Sequence, residues 1–229
     1  MRIGRFKLWS AVAALGLLAG LACENRAHAD VLVLGGDFTS FNYTFEGTDY
    51  KPGGAGSIDP STLNGISLPW VYCTDIKDDI PVPATYNNTT VTFNGVQTTT
   101  ENGTAVTTNA GQVAWMLGQY ANAAIGDDVK QEALQAAIWK AIYGNKFSVD
   151  ASNSATLISD YNAIVAAAAG QSASLSSVSW LSPAVAGSST IYQSLVTSVV
   201  PEPSSLSIAG LSILGFLGYG WRRRKAQGA

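Results

Sequence analysis

Two side chains have the types and surroundings for covalent chemistry. Cys73 lies in the run Trp70-Val71-Tyr72-Cys73-Thr74-Asp75, and Gln135 lies in the stretch from Glu132 to Tyr143, EALQAAIWKAIY. A thiol is a nucleophile, a metal ligand or half of a disulfide, depending on what stands beside it. The chain has 2 cysteines and 1 histidine, and Cys23 and His28 both fall in an N-terminal stretch that reads as a signal peptide. The mature part is therefore expected to hold Cys73 with no disulfide partner and no imidazole base, so a Cys-His protease finds no support. Helical spacing explains Leu134, Ile138 and Ile142 as a core face, but leaves Gln135 one step off it, beside Trp139 and Ile142. Each residue also has a structural reading, since a free cysteine is often a small buried hydrophobe and glutamine is a good helix former.

Other chemistry is poorly supported. Asp75, Asp78 and Asp79 offer oxygen ligands for Ca²⁺ but lack EF-hand spacing. Asp127-Asp128 reads better as a helix cap than as a metal site. Neither a metal nor a cofactor is expected.

The elements that must position these residues change character along the chain. From Asp30 to about Thr108 the sequence is strand-like: Val31 to Leu34, DFTSFNYTF ending at Phe45, and Val91 to Thr100 are rich in β-branched or aromatic residues. Gly, Pro and Asn clusters, Lys51 to Ser57 and Asn87-Asn88, read as separators, giving five to seven short strands. Trp70 to Ile76 reads as the strand that carries Cys73. From Gln112 the period becomes helical. Val113, Met116, Leu117 and Tyr120 mark a first helix, Asp127-Asp128 to Tyr143 a second with Gly144 as its stop, and about Ser154 to Ala169 a third. Ser172 to Val200 returns to strand and loop composition, with Trp180 and Ile191-Tyr192 as expected core contacts and Ser194 to Ser205 as a short tether. The expected fold is α+β: a β-rich sandwich or barrel-like part, a small helical part, and a C-terminal transmembrane helix.

The termini carry targeting features. Arg2, Arg5 and Lys7 precede an apolar stretch and the small-x-small site Ala27-His28-Ala29, so residues 1–29 read as a secretory signal peptide. A rival reading makes Cys23 a lipidated cysteine. Leu206 to Trp221 is apolar and is followed by Arg222-Arg223-Arg224-Lys225, a span at the short limit for crossing a bilayer whose basic end stays cytoplasmic. Eight of the 13 Lys and Arg residues lie in these termini, so Asp30 to Val200 holds five against fourteen of the 16 Asp and Glu, a net charge of −9. Nucleic acid is therefore a poor partner, because no basic patch exists to neutralise phosphates.

Two resemblances extend this reading. Val200-Pro201-Glu202-Pro203-Ser204, the apolar span and the basic cluster Arg222 to Lys225 stand in the order of the PEP-CTERM sorting signal of bacterial exported proteins, which the chain resembles over residues 199–229. That resemblance implies an exosortase-type transpeptidase as partner, transient anchoring in the inner membrane, and then a cell-surface or extracellular-matrix destination. Tyr72-Cys73-Thr74-Asp75 and Leu134-Gln135-Ala136-Ala137-Ile138-Trp139 resemble the paired motifs of bacterial thioester domains of surface adhesins, and Val113 to Tyr120 looks like the helix those domains place before the Gln segment. This second resemblance covers about Leu68 to Tyr143; for the domain of residues 30–198 it implies an internal thioester between Cys73 and Gln135, with Tyr72 and Trp139 around it. The thioester would capture an amine or hydroxyl on a surface or matrix target, once and without turnover. The alternative is a non-reactive structural protein of the envelope or biofilm matrix with the same fold.

Overall fold

The computed structural model describes residues 30–199. The expected signal peptide, transmembrane sorting helix and basic tail lie outside them. Among the described residues no helix is long and apolar enough to cross a membrane.

Alternation of side chains sets the first strands. In β1 (Asp30–Leu34) Leu32 and Leu34 are buried while Val31 and Val33 face out, and in β2 (Asp37–Phe45) Phe41, Tyr43 and Phe45 turn inward. β2 pairs along its length with β3 (Thr48–Asp59). Lys51 to Ser57, expected as a separator, is therefore the middle of a strand. The reason is steric: a Cβ on Gly53 would stand 2.3 Å from the Tyr43 ring, and one on Gly56, at φ +81°, would stand 2.3 Å from Thr39 Oγ1. The glycines make room for the side chains of β2 to lie across β3, a contact that composition alone reads as a break.

Short strands β4 (Ser61–Leu63), β5 (Ile66–Leu68) and β6 (Val71–Cys73) follow. Then come β7 (Ala84–Thr92), β8 (Val96–Thr99) and β9 (Gly103–Val106). Asn87-Asn88, the other expected separator, lies within β7. The strand carrying Cys73 stops at that residue rather than at Ile76. Nine strands, not five to seven, precede Thr108 among the described residues.

The helices follow their caps closely. α1 (Ala110–Met116) continues through a π-helical turn at Leu117–Ala121 and a last turn at Asn122–Ala124. α2 (Asp128–Tyr143) begins where the Asp127 side chain accepts from the Lys130 N–H and ends at Gly144, whose φ of 58° suits glycine. β10 (Phe147–Val149) then pairs with β2. α3 (Ala155–Ala168) is capped by Ser154 and buries Leu157, Tyr161 and Ile164.

β11 (Val178–Ser182) and β12 (Leu195–Ser198) complete a seven-stranded antiparallel sheet of order β5-β4-β1-β7-β11-β12-β6. Its edge strands β5 and β6 are joined by Pro69 and Trp70 alone, so the chain draws the two edges together and the sheet is nearly closed and barrel-like. Smaller sheets, β10-β2-β3 and β8-β9, lie beside it. The protein is mostly β with few helices, and the barrel-like part of the expected α+β fold is present. Two readings need correction. Ser194 to Ser198 is not tether: Leu195 and Val196 are fully buried between β11 and β6. Trp180 is core as expected, whereas Ile191 is exposed and Tyr192 packs only partly, edge-on against Tyr86.

Candidate functional site

α2 is buried on every side from Ala133 to Trp139, so it is not the amphipathic helix with a single core face that periodicity indicates. A second stripe, spaced by four residues, points from it at the strands. Gln131 Oε1 accepts from the Ser57 N–H of β3 at 3.2 Å. Gln135 reaches Cys73, Trp139 packs among Phe41, Tyr43 and Phe147, and the Tyr143 hydroxyl donates to Asp75 Oδ1 at 2.9 Å. Residues four apart share one helix face, so one rigid element aligns all four.

Gln135 meets the backbone of Cys73 rather than a polar side chain. The Cys73 N–H donates to Gln135 Oε1 at 2.9 Å, and Gln135 Nε2 donates to the Cys73 carbonyl at 2.7 Å. β6 is an edge strand whose opposite side pairs with β12, so its outward groups need partners. The Ser57 hydroxyl serves the Val71 N–H at 3.0 Å, and Gln135 serves both groups of Cys73.

The thiol has a partner of its own. Cys73 Sγ donates to Gln193 Oε1 at 3.1 Å and lines a cleft of about 770 Å³ with Tyr43, Trp139 and Gln193. Aromatic rings form one wall, with Tyr43 stacked on Tyr50 at 4.8 Å between centroids. Lys77 at the rim is held between Glu46 and Glu101, at 3.1 and 3.0 Å. Burial, with the Asp75 charge adding to it, pushes the thiol up to about 12. In the unreacted protein Cys73 is thus a neutral thiol.

Two further polar atoms at the site are buried without a partner, Tyr72 Oη and Trp139 Nε1. Asp75 Oδ2 is a third. Burial first, then a hydrogen bond with Asp78, pushes Asp75 up to about 6. At Asp78 burial opposes ionisation, but Thr100 and Asp75 together hold it below the ordinary carboxylate range. Of this pair, Asp75 is the carboxyl that favours its proton and Asp78 the one that favours its charge. Because the folded value lies above the unfolded one, this group's stabilisation is complete below about pH 4 and is lost as pH rises through about 6. The melting temperature should therefore decline across that window, and Asp75→Asn should flatten the decline; an unchanged slope in the variant would rule out this origin.

Cys73, Gln135, Tyr72 and Trp139, singled out from the sequence, all lie in one region. Sequence reasoning missed Gln193, Ser57 and Tyr143. Tyr143 and Gln131 could have been found from the four-residue spacing through Gln135 and Trp139. Gln193 carries no local signal. Among the described residues no group of three or more His, Cys, Asp or Glu could hold a metal ion.

Comparison with known families decides the C-terminal features. A PEP-CTERM protein-sorting motif is matched over residues 199–225. The chain carries a bacterial PEP-CTERM signal. The match contains Pro201, Glu202 and Pro203 and the basic residues Arg222, Arg223 and Arg224, all outside the described residues. A PEP-CTERM signal implies recognition by an exosortase and an exported protein, transiently anchored at the membrane before release to the surface. No curated protein and no solved structure gives a significant match to the chain.

Proposed function

We propose that this exported PEP-CTERM protein captures a nucleophile covalently at the cell surface or in the extracellular matrix, through a thioester between Cys73 and Gln135. The observation that carries the reading is the double hydrogen bond holding the Gln135 amide against the Cys73 peptide, both residues buried, with the thiol at a cleft. Sulfur adds to Cδ of Gln135, the C–N bond breaks, and ammonia leaves with the thiol proton. The oxygen that gains charge in that step, Oε1, already accepts from the Cys73 N–H at 2.9 Å, as an oxyanion donor requires. An incoming amine or hydroxyl then attacks the acyl carbon, the C–S bond breaks, and a proton returns to sulfur. No histidine is needed, because positioning supplies much of the acceleration once the reacting atoms are held near contact.

A second reading is favoured by the same bonds. Gln135 satisfies the edge of β6 without reacting, so the chain also works as a structural matrix or envelope protein with a buried free thiol. Intact mass separates the two. The thioester predicts a mature protein lighter than its sequence by one ammonia, uptake of one methylamine, and neither change in Cys73→Ala. A full sequence mass, with Cys73 alkylated after unfolding, would leave the structural reading standing.

A further inference from the structure

Resting on the Cys73-Gln135 reading, we propose that Gln193 orients the Cys73 thiol for bond formation. Gln135 cannot do this itself. Both ends of its amide are engaged by the Cys73 peptide, which fixes the acyl carbon relative to the backbone but leaves the thiol free to turn about Cα–Cβ. The remaining rotation is set by Gln193, to whose Oε1 Sγ donates at 3.1 Å.

The Gln193 amide is itself held in place. Its Nε2 donates to the Asp75 carbonyl, and its backbone N–H donates to the Asp79 carbonyl at 3.2 Å. With Nε2 so committed, the carbonyl end must face the sulfur. Strand register explains the reach: Leu195 of β12 stands opposite Cys73, so Gln193, two residues earlier, is its diagonal neighbour on the same face. The next residue, Ser194, accepts from the Thr74 N–H at 2.9 Å and bonds Thr98 through its hydroxyl, fixing the start of β12. The thiol proton is thus directed at Gln193 on the cleft side, and sulfur keeps its lone pairs for Cδ of Gln135. In the step itself that proton passes to the departing nitrogen as the C–N bond breaks and the C–S bond forms.

The test follows bond formation in the full chain refolded from denaturant, by loss of ammonia in the intact mass after folding is complete by tryptophan fluorescence. Gln193→Leu should slow ammonia loss by about 10- to 100-fold, the scale expected for a misplaced reacting group, with the melting temperature of the unreacted chain little changed. Gln193→Asn, one methylene short, should be slow as well and decides the matter if the leucine variant does not fold. Gln193→Glu keeps an acceptor oxygen but loses the donor that holds it on the Asp75 carbonyl, and should recover only part of the rate. Equal rates in wild type and Gln193→Asn would overturn the proposal, as would methylamine found on Gln193 by peptide mapping, which would make it the acyl donor. A wild-type chain that never loses ammonia overturns the underlying thioester reading instead, and is told apart by that result alone.

Discussion

Gln135→Leu is expected to abolish ammonia loss and to leave the protein less stable than Cys73→Ala, although neither variant can form the bond. Two effects separate in this comparison. The link would close a loop of 62 residues, and restricting the unfolded chain on that scale contributes about 3 to 5 kcal/mol. Wild type and Cys73→Ala should differ in urea denaturation by roughly that amount, less about 1 to 3 kcal/mol because ammonia carries off the Nε2 that serves the Cys73 carbonyl. Leucine at position 135 keeps the volume but leaves the N–H and C=O of Cys73 buried and unpaired. At about 1 to 3 kcal/mol for each stranded group, a further loss of about 2 to 6 kcal/mol follows. Gln135→Glu gives an intermediate case, because it still accepts from the Cys73 N–H but sets a carboxyl in a fully buried position. If Gln135→Leu matches Cys73→Ala in stability, the glutamine does not serve the edge of β6.

Trp139 carries the second large effect. It is 1% exposed and meets Phe41, Tyr43 and Phe147 at ring separations of 6.0, 5.1 and 5.7 Å. Trp139→Ala should cost about 3 to 5 kcal/mol in unfolding free energy, the range for truncating a large aromatic side chain in a packed core. It would also open the wall of the cleft beside Cys73, so the bond, once formed, should hydrolyse faster in stored protein. Trp139→Phe isolates a different property. Nε1 has no hydrogen-bond partner, and removing a buried unsatisfied donor offsets part of the lost packing. Its penalty should stay well below that of alanine. Equal penalties for the two variants would mean that the indole is held by its polar atom after all.

Much of the site's scaffold was legible because it rests on short-range rules. The ends of α2 follow from Asp127 and Gly144, and Trp139 falls on the face of Gln135 because residues four apart must. The acidic balance of the exported part and the sorting signal need no folding at all to be read. By contrast, the glycines of β3 look like a loop in isolation. Only the rings of β2 lying across them show why a strand with so few side chains is stable there.

Sequence by itself determined the export class, the ends of the two longer helices, and the selection of Cys73 and Gln135 from a chain with few nucleophiles. Tertiary structure decided what those residues touch. Gln135 meets the peptide of Cys73 because β6 ends the sheet and its outer edge must be satisfied. Gln193 meets the thiol because β12 enters the sheet beside β6, 120 residues after Cys73. Capping and helical spacing act within a few residues and leave a mark in local sequence. Strand order and edge pairing join distant segments through backbone groups that every residue shares, so no residue type announces them.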